Sequence, residues 1–381
     1  MLPSKKGFSL VELLVVIVLL LTVGALVFWT VLKALSSVST SAGEAKKEVE
    51  IVLNTDWLVF DLKHAGYGIS VNETTAVLSY CNGTNGVEAC SVATSVGAVD
   101  NKLLLIKETS NIVRSSSYEN PSVGFISCKN SLEIINKASG IDTTQHKCVV
   151  LDDLKQLVTD NSDCSCSSSP VNTLDFAVLF PYWTDGACKG MTGCCQNQFC
   201  TGIAWFLDEP SGDSTYPSSC RLLGTKALYR SYTNSTGNFT KQQIIPCIAD
   251  WDVWFGLDTD NNTDIDRWVN YLPTADMTSD SNGVNNAMAE QLKMAKVYLL
   301  VQASYSADPD YDYCALHGDI CNTAQCGSDK LLIDTLKDDD GTEHYVCLKH
   351  PDGDTWRHYR WKVIQIDITP FPNIPNAVVT P

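Results

Sequence analysis

The sequence predicts an α+β fold, with one long N-terminal α-helix packed on an antiparallel β-sheet head that carries a disulfide-rich insertion. Three observations favour it. An apolar run without a charge fills 13–32, and an amphipathic stretch follows it. Short apolar runs of period two then occupy the rest of the chain. Sixteen cysteines, all beyond the apolar run, complete the pattern.

The first seven residues, MLPSKKG, form a basic leader that ends at Gly7 and is followed directly by Phe8. A secretory signal would place its small cleavage residue after the apolar core, whereas Gly7 precedes it. The run from Leu13 to Leu32 is long enough to cross a membrane, because a helix rises about 1.5 Å per residue. The two leader lysines predict a cytoplasmic N-terminus and an exported head.

Glu12 lies within the apolar segment, where a carboxylate costs about 2.5–3.5 kcal/mol at the membrane centre and therefore needs a partner. The leader, Gly7, Phe8 and Glu12 together resemble the class III leader of type IV prepilins. The resemblance implies cleavage by prepilin peptidase between Gly7 and Phe8 and N-methylation of Phe8. It also implies that Glu12 pairs with a neighbouring subunit's terminal amine during assembly. A simple signal anchor is the alternative.

The segment from Glu44 to His64 predicts an amphipathic helix whose apolar stripe lies on a sheet. The stripe comprises Val49, Val52, Leu53, Trp57 and Phe60. Gly66 and Gly68 should end the helix. The sequence Asp61 to Gly68, DLKHAGYG, resembles the stretch with which PilW-type minor pilins end the same helix.

These patterns divide the chain into four parts. We expect the leader peptide at 1–7, the transmembrane or filament-core half of the helix at 8–35, its amphipathic half at 36–68, and a β-rich head at 69–381. Seven cysteines between 159 and 220 predict a cysteine-rich insertion in that head. Eight strands are predicted: Thr75–Tyr80, Lys102–Lys107, Leu174–Phe180, Ile203–Leu207, Ala227–Tyr232, Trp251–Leu257, Lys296–Ala303 and Trp361–Thr369.

Three later stretches, in order, resemble PilW-type or J-type pseudopilin heads. They are Leu228–Arg230, Val253–Trp268 and Leu292–Ser304. Lys296 and Gln302 stand where these families more often carry arginine. With the N-terminus, the resemblance implies a filament subunit.

The cysteine set is even and lies on the exported side of the predicted membrane segment, so disulfides are expected. The densest group is Cys188, Cys194, Cys195 and Cys200. A metal site is the alternative there, but the chain has no C-x2-C pair, which disfavours structural zinc. The sequence does not determine the pairing.

An acidic turn suggests a possible Ca²⁺ site. Oxygen-bearing side chains alternate at Asp258, Asp260, Asn262, Asp264 and Asp266, as in an EF-hand loop. The sixth position is Thr263 instead of Gly and the twelfth is Val269 instead of Glu, so a solvated acidic turn is favoured. A second metal hypothesis, at His344, Cys347 and His350, is disfavoured against surface histidines in a loop beside a disulfide.

Charge and motifs disfavour nucleic-acid-binding proteins and enzymes. The formal charge of −17 disfavours nucleic-acid binding. The chain has no nucleophile elbow, zincin motif, P-loop or dinucleotide fingerprint, so we expect neither an enzyme nor a required cofactor.

The resemblance implies a structural minor pilin that initiates or caps a type IV pilus. Its expected partners are major and minor pilins, prepilin peptidase and the inner-membrane assembly platform. It would be anchored in the inner membrane with a periplasmic head before assembly, and would lie in the filament at the cell surface afterwards. The alternatives are a J-type pseudopilin of a type II secretion system, and a pilus-tip adhesin or calcium-binding module.

Overall fold

The computed structural model describes residues 22, 28–30, 54–70, 73–85, 87–109, 124–127, 133–134, 147–151, 157–162, 177–182, 188–196, 200–210, 216–233, 239–272, 284–303, 310–321, 324–369, 371 and 374. The chain divides into two compact units, Met1–Val52 and Leu53–Pro381. In the first unit, the described residues are helical and exposed. Gly7, Phe8, Glu12 and most of the predicted membrane segment lie outside the described residues. Within the described ranges, no helix is long and apolar enough to cross a membrane.

The second unit is rich in strands. Its described helices are α1 (54–63), α2 (Val87–Val96), α3 (Ser218–Leu222), α4 (Val284–Gln291) and α5 (Tyr313–Leu316). Its described strands are β1 (Leu78–Asn82), β2 (Lys102–Glu108), β3 (Gly124–Ser127), β4 (Glu133–Ile134), β5 (Lys147–Leu151), β6 (Leu157–Ser162), β7 (Ala177–Tyr182), β8 (Thr201–Asp208), β9 (Lys226–Thr233), β10 (Phe239–Leu257), β11 (Arg267–Val269), β12 (Leu292–Gln302), β13 (Lys330–Lys337), β14 (Glu343–Lys349) and β15 (Trp361–Ile368).

An antiparallel sheet of eight strands organises this unit. Its order is β1-β2-β8-β9-β10-β12-β15, and β11 pairs with β10. A five-stranded sheet has the order β4-β3-β7-β5-β6, and β13 and β14 form a hairpin. Each of the eight predicted strands overlaps an observed one, so the predicted antiparallel β-rich head is confirmed.

Helix α1 ends where the sequence predicts, since Gly66 and Gly68 follow it with φ of 81° and 73°. The prediction of its buried face is wrong at Trp57, while Phe60 is half-buried and Val49, Val52 and Leu53 lie outside the described residues. Trp57 is 45% exposed, whereas Leu58, Leu62 and Ala65 are buried. The difference arises because α1 also buries a polar residue, Asp61, which hydrophobic periodicity does not detect.

The main sheet is also packed by other elements. Ala204, Phe206 and Tyr229 belong to an apolar cluster that includes Ala89, Val92 and Ala93 of α2. A second cluster joins β10, β12 and β15 to the β13–β14 hairpin through Trp254, Tyr298, Trp361, Val346 and Leu348. The core is therefore built from the sheet and from short elements packed against it.

Disulfides account for the described cysteine side chains. Six bonds join Cys81–Cys90, Cys188–Cys194, Cys195–Cys200, Cys220–Cys247, Cys314–Cys321 and Cys326–Cys347. The disulfide prediction is confirmed for the dense group, because each of its four sulfurs belongs to a disulfide. The range 159–220 contains β7 of the smaller sheet and β8 of the main sheet, and the bounds of the predicted insertion stay a prediction.

Candidate functional site

A buried ion pair fixes α1 on the main sheet. The Asp61 carboxylate, which is fully buried, accepts hydrogen bonds from Arg230 Nε at 2.6 Å and Nη2 at 2.9 Å. Trp205 Nε1 donates a third bond to it at 2.8 Å. Trp205 and Arg230 are partners in the β8–β9 register and therefore present their side chains on one face. A carboxylate held by a two-point arginine contact is strongly oriented.

The environment of Arg230 keeps its guanidinium charged. Burial lowers the pKa of Arg230, but the hydrogen bond and the negative charge of Asp61 more than offset it, so the pKa is raised overall. Asp61 opens the DLKHAGYG segment and Arg230 closes Leu228–Arg230, two segments that carry the family resemblance. Sequence reasoning missed their pairing, although a lone Asp within the buried arc of a helix is a signal for such a partner.

The end of α1 is bound to the neighbouring strand β2. Gly66 N donates to Lys107 O at 2.9 Å, and Thr109 N donates to Tyr67 O at 2.9 Å. The Lys107 side chain is itself fully buried and contacts both carboxylate oxygens of Glu88, at 2.9 and 2.8 Å. Burial lowers the pKa of Lys107, and Glu88 opposes that shift. The helix end is thus held by backbone bonds next to a second internal ion pair.

A third polar cluster lies within the sheet. Asp252 accepts bonds from Tyr80 Oη at 2.9 Å and Trp254 Nε1 at 3.1 Å. Asp250 accepts from Lys102 Nζ at 2.8 Å and from Lys349 N at 2.8 Å, which ties the β13–β14 hairpin to β10. Burial raises the pKa of Asp252. Since both aspartates are buried and hydrogen-bonded within the protein, the arrangement supports the fold and gives no access to a substrate.

The predicted acidic turn follows β10, and the structure brings three of its five candidate residues together. One carboxylate oxygen each of Asp258, Asp260 and Asp266 lie within 4.8 Å of one another. Asn262 N donates to Asp258 Oδ1 and to Asp260 Oδ1, both at 3.2 Å, and Asp264 N donates to Asn262 Oδ1 at 2.8 Å. The sequence therefore identified the loop, but the Asp264 carboxylate is not part of the group of converging oxygens.

The three converging carboxylates also have partners inside the protein. Lys293 Nζ lies 3.1 Å from Asp258 Oδ2, and Thr263 N donates to that oxygen at 2.9 Å. Thr259 N donates to Asp266 Oδ2 at 2.5 Å. Hydrogen bonds from the Thr259 amide, which is the largest cause, the Thr259 hydroxyl and the Asp260 amide lower the pKa of Asp266. Internal N–H groups and a lysine thus already balance the negative charge of the turn. The Ca²⁺ hypothesis stays a prediction.

A second acidic turn contacts the first, and the sequence did not predict this contact. Asp339 N donates to Asp266 O at 3.0 Å, and Trp268 N donates to Asp338 Oδ1 at 2.7 Å. Burial and the charge of Asp266 raise the pKa of Asp339. The two turns together form an acidic surface at one end of β10, β11 and the hairpin.

The β13–β14 hairpin shows what contacts the residues of the second metal hypothesis, His344, Cys347 and His350, make. His344 Nε2 lies 2.8 Å from Asp338 Oδ2, and the His350 ring stacks on Trp356 with centroids 4.3 Å apart. Cys347 is bonded to Cys326, so its sulfur is not a metal ligand. The predicted loop is wrong up to Lys349, because Glu343–Lys349 pair with β13 as strand β14.

Comparison with protein families gives two matches. Residues 213–325 match Type IV Pilus-assembly protein W, and residues 2–28 match the prokaryotic N-terminal methylation motif. The first range contains Arg230 and the acidic turn, and the second contains Gly7, Phe8 and Glu12. Comparison with curated proteins and with solved structures finds no match. Both matching families are structural pilus components, and the two matches support a PilW-type, prepilin-like protein related to type IV pili.

Proposed function

We propose that this protein is a minor pilin that initiates or caps a type IV pilus. The observation that carries the proposal is the presence of an N-terminal methylation motif and a PilW-type region on one chain. Prepilin peptidase cuts between Gly7 and Phe8, and Phe8 becomes N-methylated. Glu12 then accepts the terminal amine of a neighbouring subunit, which neutralises a charge that is costly in an apolar setting.

The proposed fold is that of a type IV pilin, with α1 as the end of a single helix that begins near Phe8. Its first half, at 8–35, lies in the inner membrane before assembly and in the filament core afterwards. The buried pair of Asp61 and Arg230 supports this arrangement, because it fixes the end of the helix to the head by charge as well as by packing. Partners are the other pilins, prepilin peptidase and the inner-membrane assembly platform.

The disulfides support export of the head. The described bonds connect segments up to 27 residues apart, as between Cys220 and Cys247, and such bonds persist in oxidising compartments. In this proposal the head folds in the periplasm and is displayed at the cell surface on the assembled filament. The large, folded head suits a position at a filament end better than a densely repeated shaft position.

The test is complementation of a deletion strain with full-length variants. Gly7→Ala should abolish leader removal and filament formation, whereas the leader control Ser4→Ala should be processed normally. Glu12→Leu should be processed and methylated but should be lost from sheared filaments. Intact-protein mass and counts of filaments by electron microscopy are the readouts. A Gly7→Ala protein that is shortened normally would contradict the assigned cleavage site.

Two alternative functions remain testable in the same strains. If the protein is a J-type pseudopilin, its deletion should leave surface pili intact and should abolish secretion of type II substrates. If the protein is a tip adhesin or calcium-binding module, its deletion should leave filament number intact and reduce attachment. The converging oxygens of Asp258, Asp260 and Asp266 favour testing that module with and without Ca²⁺. Loss of filaments with secretion retained supports the minor pilin.

A further inference from the structure

Strand β2 carries two lysines that form ion pairs with carboxylates of other elements. Lys107 Nζ contacts both carboxylate oxygens of Glu88 in α2, at 2.9 and 2.8 Å, and the Lys107 side chain is fully buried. Lys102 Nζ contacts one oxygen of Asp250 in β10 at 2.8 Å, and the Lys102 side chain is 17% exposed. The amine of Lys107 is therefore the more enclosed of the two.

The Lys107 amine lies at the end of an apolar interface. Lys107 follows Leu103 and Leu105 at two-residue steps, so the three side chains share one face of β2. Both leucines belong to an apolar cluster that also contains residues of α2. Burial lowers the pKa of Lys107, although the charge of Glu88 opposes that shift. A desolvated lysine has a larger fraction of the neutral amine, which is the nucleophilic form.

The pKa of the other lysine moves in the opposite direction. Burial lowers the pKa of Lys102, but the negative charges of Asp250 and Asp252 more than offset this effect, so the pKa is raised overall. Lys102 is thus held as an ammonium group, and it serves as an internal control for Lys107.

The Glu88 carboxyl group is oriented by the disulfide-bonded loop that precedes β8. Gly193 N donates to Glu88 Oε1 at 3.3 Å, and the next residue, Cys194, is bonded to Cys188. The loop lies directly on β8, since a Cβ at Gly202 would overlap the Gly193 carbonyl oxygen. An N–H group placed in this way stabilises the negative charge that develops on the oxygen when a nucleophile adds to the carbon.

We propose that Lys107 and Glu88 condense to an intramolecular amide, which cross-links β2 to α2. A proton first passes from the ammonium group to Oε2, which gives a neutral amine and a neutral acid. The Nζ lone pair then adds to Cδ, and the Gly193 N–H group stabilises the oxyanion on Oε1. The Cδ–Oε2 bond breaks, and the leaving hydroxyl takes a proton from Nζ and departs as water. The reaction needs no oxidant or further reactant.

Two features favour the amide over a persistent ion pair. The contacts of Nζ with both Glu88 oxygens place Cδ at about 3–3.5 Å from Nζ, which is a near-attack separation. The amide also removes two charges whose desolvation is costly. Since the Cys81–Cys90 disulfide already joins α2 to β1, α2 is then covalently linked to two strands. The inference concerns the head alone and does not depend on the proposed function.

Peptide mapping of the wild-type, full-length protein by mass spectrometry tests the proposal. The purified protein is reduced, alkylated and digested with trypsin, which separates 64–102 from 103–107 if Lys107 is free. We expect 64–102 joined to 103–114, uncut after Lys107 and lighter by one water than the sum of the two peptides. This loss adds to the mass changes of leader removal, methylation and disulfide formation. Linear peptides with free Lys107 and Glu88 would overturn the proposal.

A pair of matched variants shows which amine reacts. Arginine is always protonated and keeps the trypsin site, so Lys107→Arg should be cut after residue 107 and give no branched product. The control Lys102→Arg should retain the branched product at the wild-type fraction. Because the first measurement uses wild type, it does not depend on the folding of a variant. A branched product that persists in Lys107→Arg, or that disappears in folded Lys102→Arg, would overturn the proposal.

Gly202→Ala tests the positioning role of the loop. The added Cβ displaces the loop and moves the Gly193 N–H group away from Glu88, while both reacting side chains are kept. We expect a several-fold lower fraction of branched product in this variant, and thermal unfolding shows whether its head is folded. An unchanged fraction in the folded variant would overturn the role assigned to Gly193.

Discussion

The α1–sheet junction and the acidic turn both concentrate carboxylates, but they treat charge in opposite ways. At the junction, Asp61 is buried and depends on partners that are 144 and 169 residues away in sequence, Trp205 and Arg230. In the turn, Asp266 accepts N–H groups only six and seven residues away. Distant pairing of the buried Asp61 specifies a tertiary arrangement, whereas local pairing of the half-buried Asp266 carboxylate shapes a loop.

The largest effect that separates the two regions should come from breaking the buried pair. Arg230→Met leaves the Asp61 carboxylate buried without its cation, which should lower the free energy of unfolding by about 3–5 kcal/mol. Urea unfolding of the full-length protein in detergent measures it. The exposed arginine control, Arg221→Met, should stay within about 0.5 kcal/mol of wild type. A change in Arg230→Met as small as in this control would show that the junction does not depend on the pair.

The disulfides should rank in stabilising effect by the length of the loop that each closes. The Cys220–Cys247 bond closes 27 residues and Cys195–Cys200 closes five. Double replacement by alanine should therefore destabilise by about 3–4 kcal/mol for the longer loop and about 2 kcal/mol for the shorter, because loop-closure entropy grows with length. Thermal and urea unfolding of the two variants would contradict the account if the order were reversed.

Acid titration should show opposite signs for a buried carboxylate, Asp252, and a half-buried one, Asp266. Asp266 has its pKa lowered from 3.8, so its stabilising contribution is present above that pH and is lost as pH falls through the folded pKa. Asp252 has its pKa raised from 3.8, so its contribution is present below that pH and is lost as pH rises through the folded pKa. The difference in unfolding free energy between wild type and Asp266→Asn should increase with pH. The difference between wild type and Asp252→Asn should decrease with pH. Parallel trends would refute the contrast.

The smallest expected effect is that of calcium on the acidic turn. Because Lys293 and backbone N–H groups already balance Asp258 and Asp266, we expect no rise in the unfolding temperature at millimolar Ca²⁺, compared with Mg²⁺. A ligand that binds only the folded protein must raise that temperature. A calcium-specific rise that Asp260→Asn removes would establish the site and favour the adhesin or calcium-binding module.

The fold was predictable from sequence where patterns are local. The alternation of Ile364, Ile366 and Ile368 predicted β15, and Gly66 and Gly68 predicted the end of α1. Strand β13 was missed because a register shift between Leu332 and Asp334 interrupts its alternation. The first half of β10 was missed for a related reason, since register shifts and the positive φ of Cys247 interrupt the strand.

The candidate site was less predictable because it depends on long-range pairing. Asp61 and Arg230 were each noticed within motifs, but only the β8–β9 register shows that Arg230 lies beside Trp205 and can reach α1. Likewise, hydrophobic periodicity grouped Trp57 and Phe60 as a core-facing stripe. It could not reveal that the sheet takes the adjacent face, because a buried salt bridge sets the rotation of the helix.

The central claim, that this chain is a processed filament subunit, is tested most directly by its mass in native material. Filaments sheared from wild-type cells and purified should contain this protein at the mass of a chain that begins at N-methylated Phe8, with its cysteines oxidised. Filaments that lack the chain, together with a cell-associated protein that retains residues 1–7, would contradict the account.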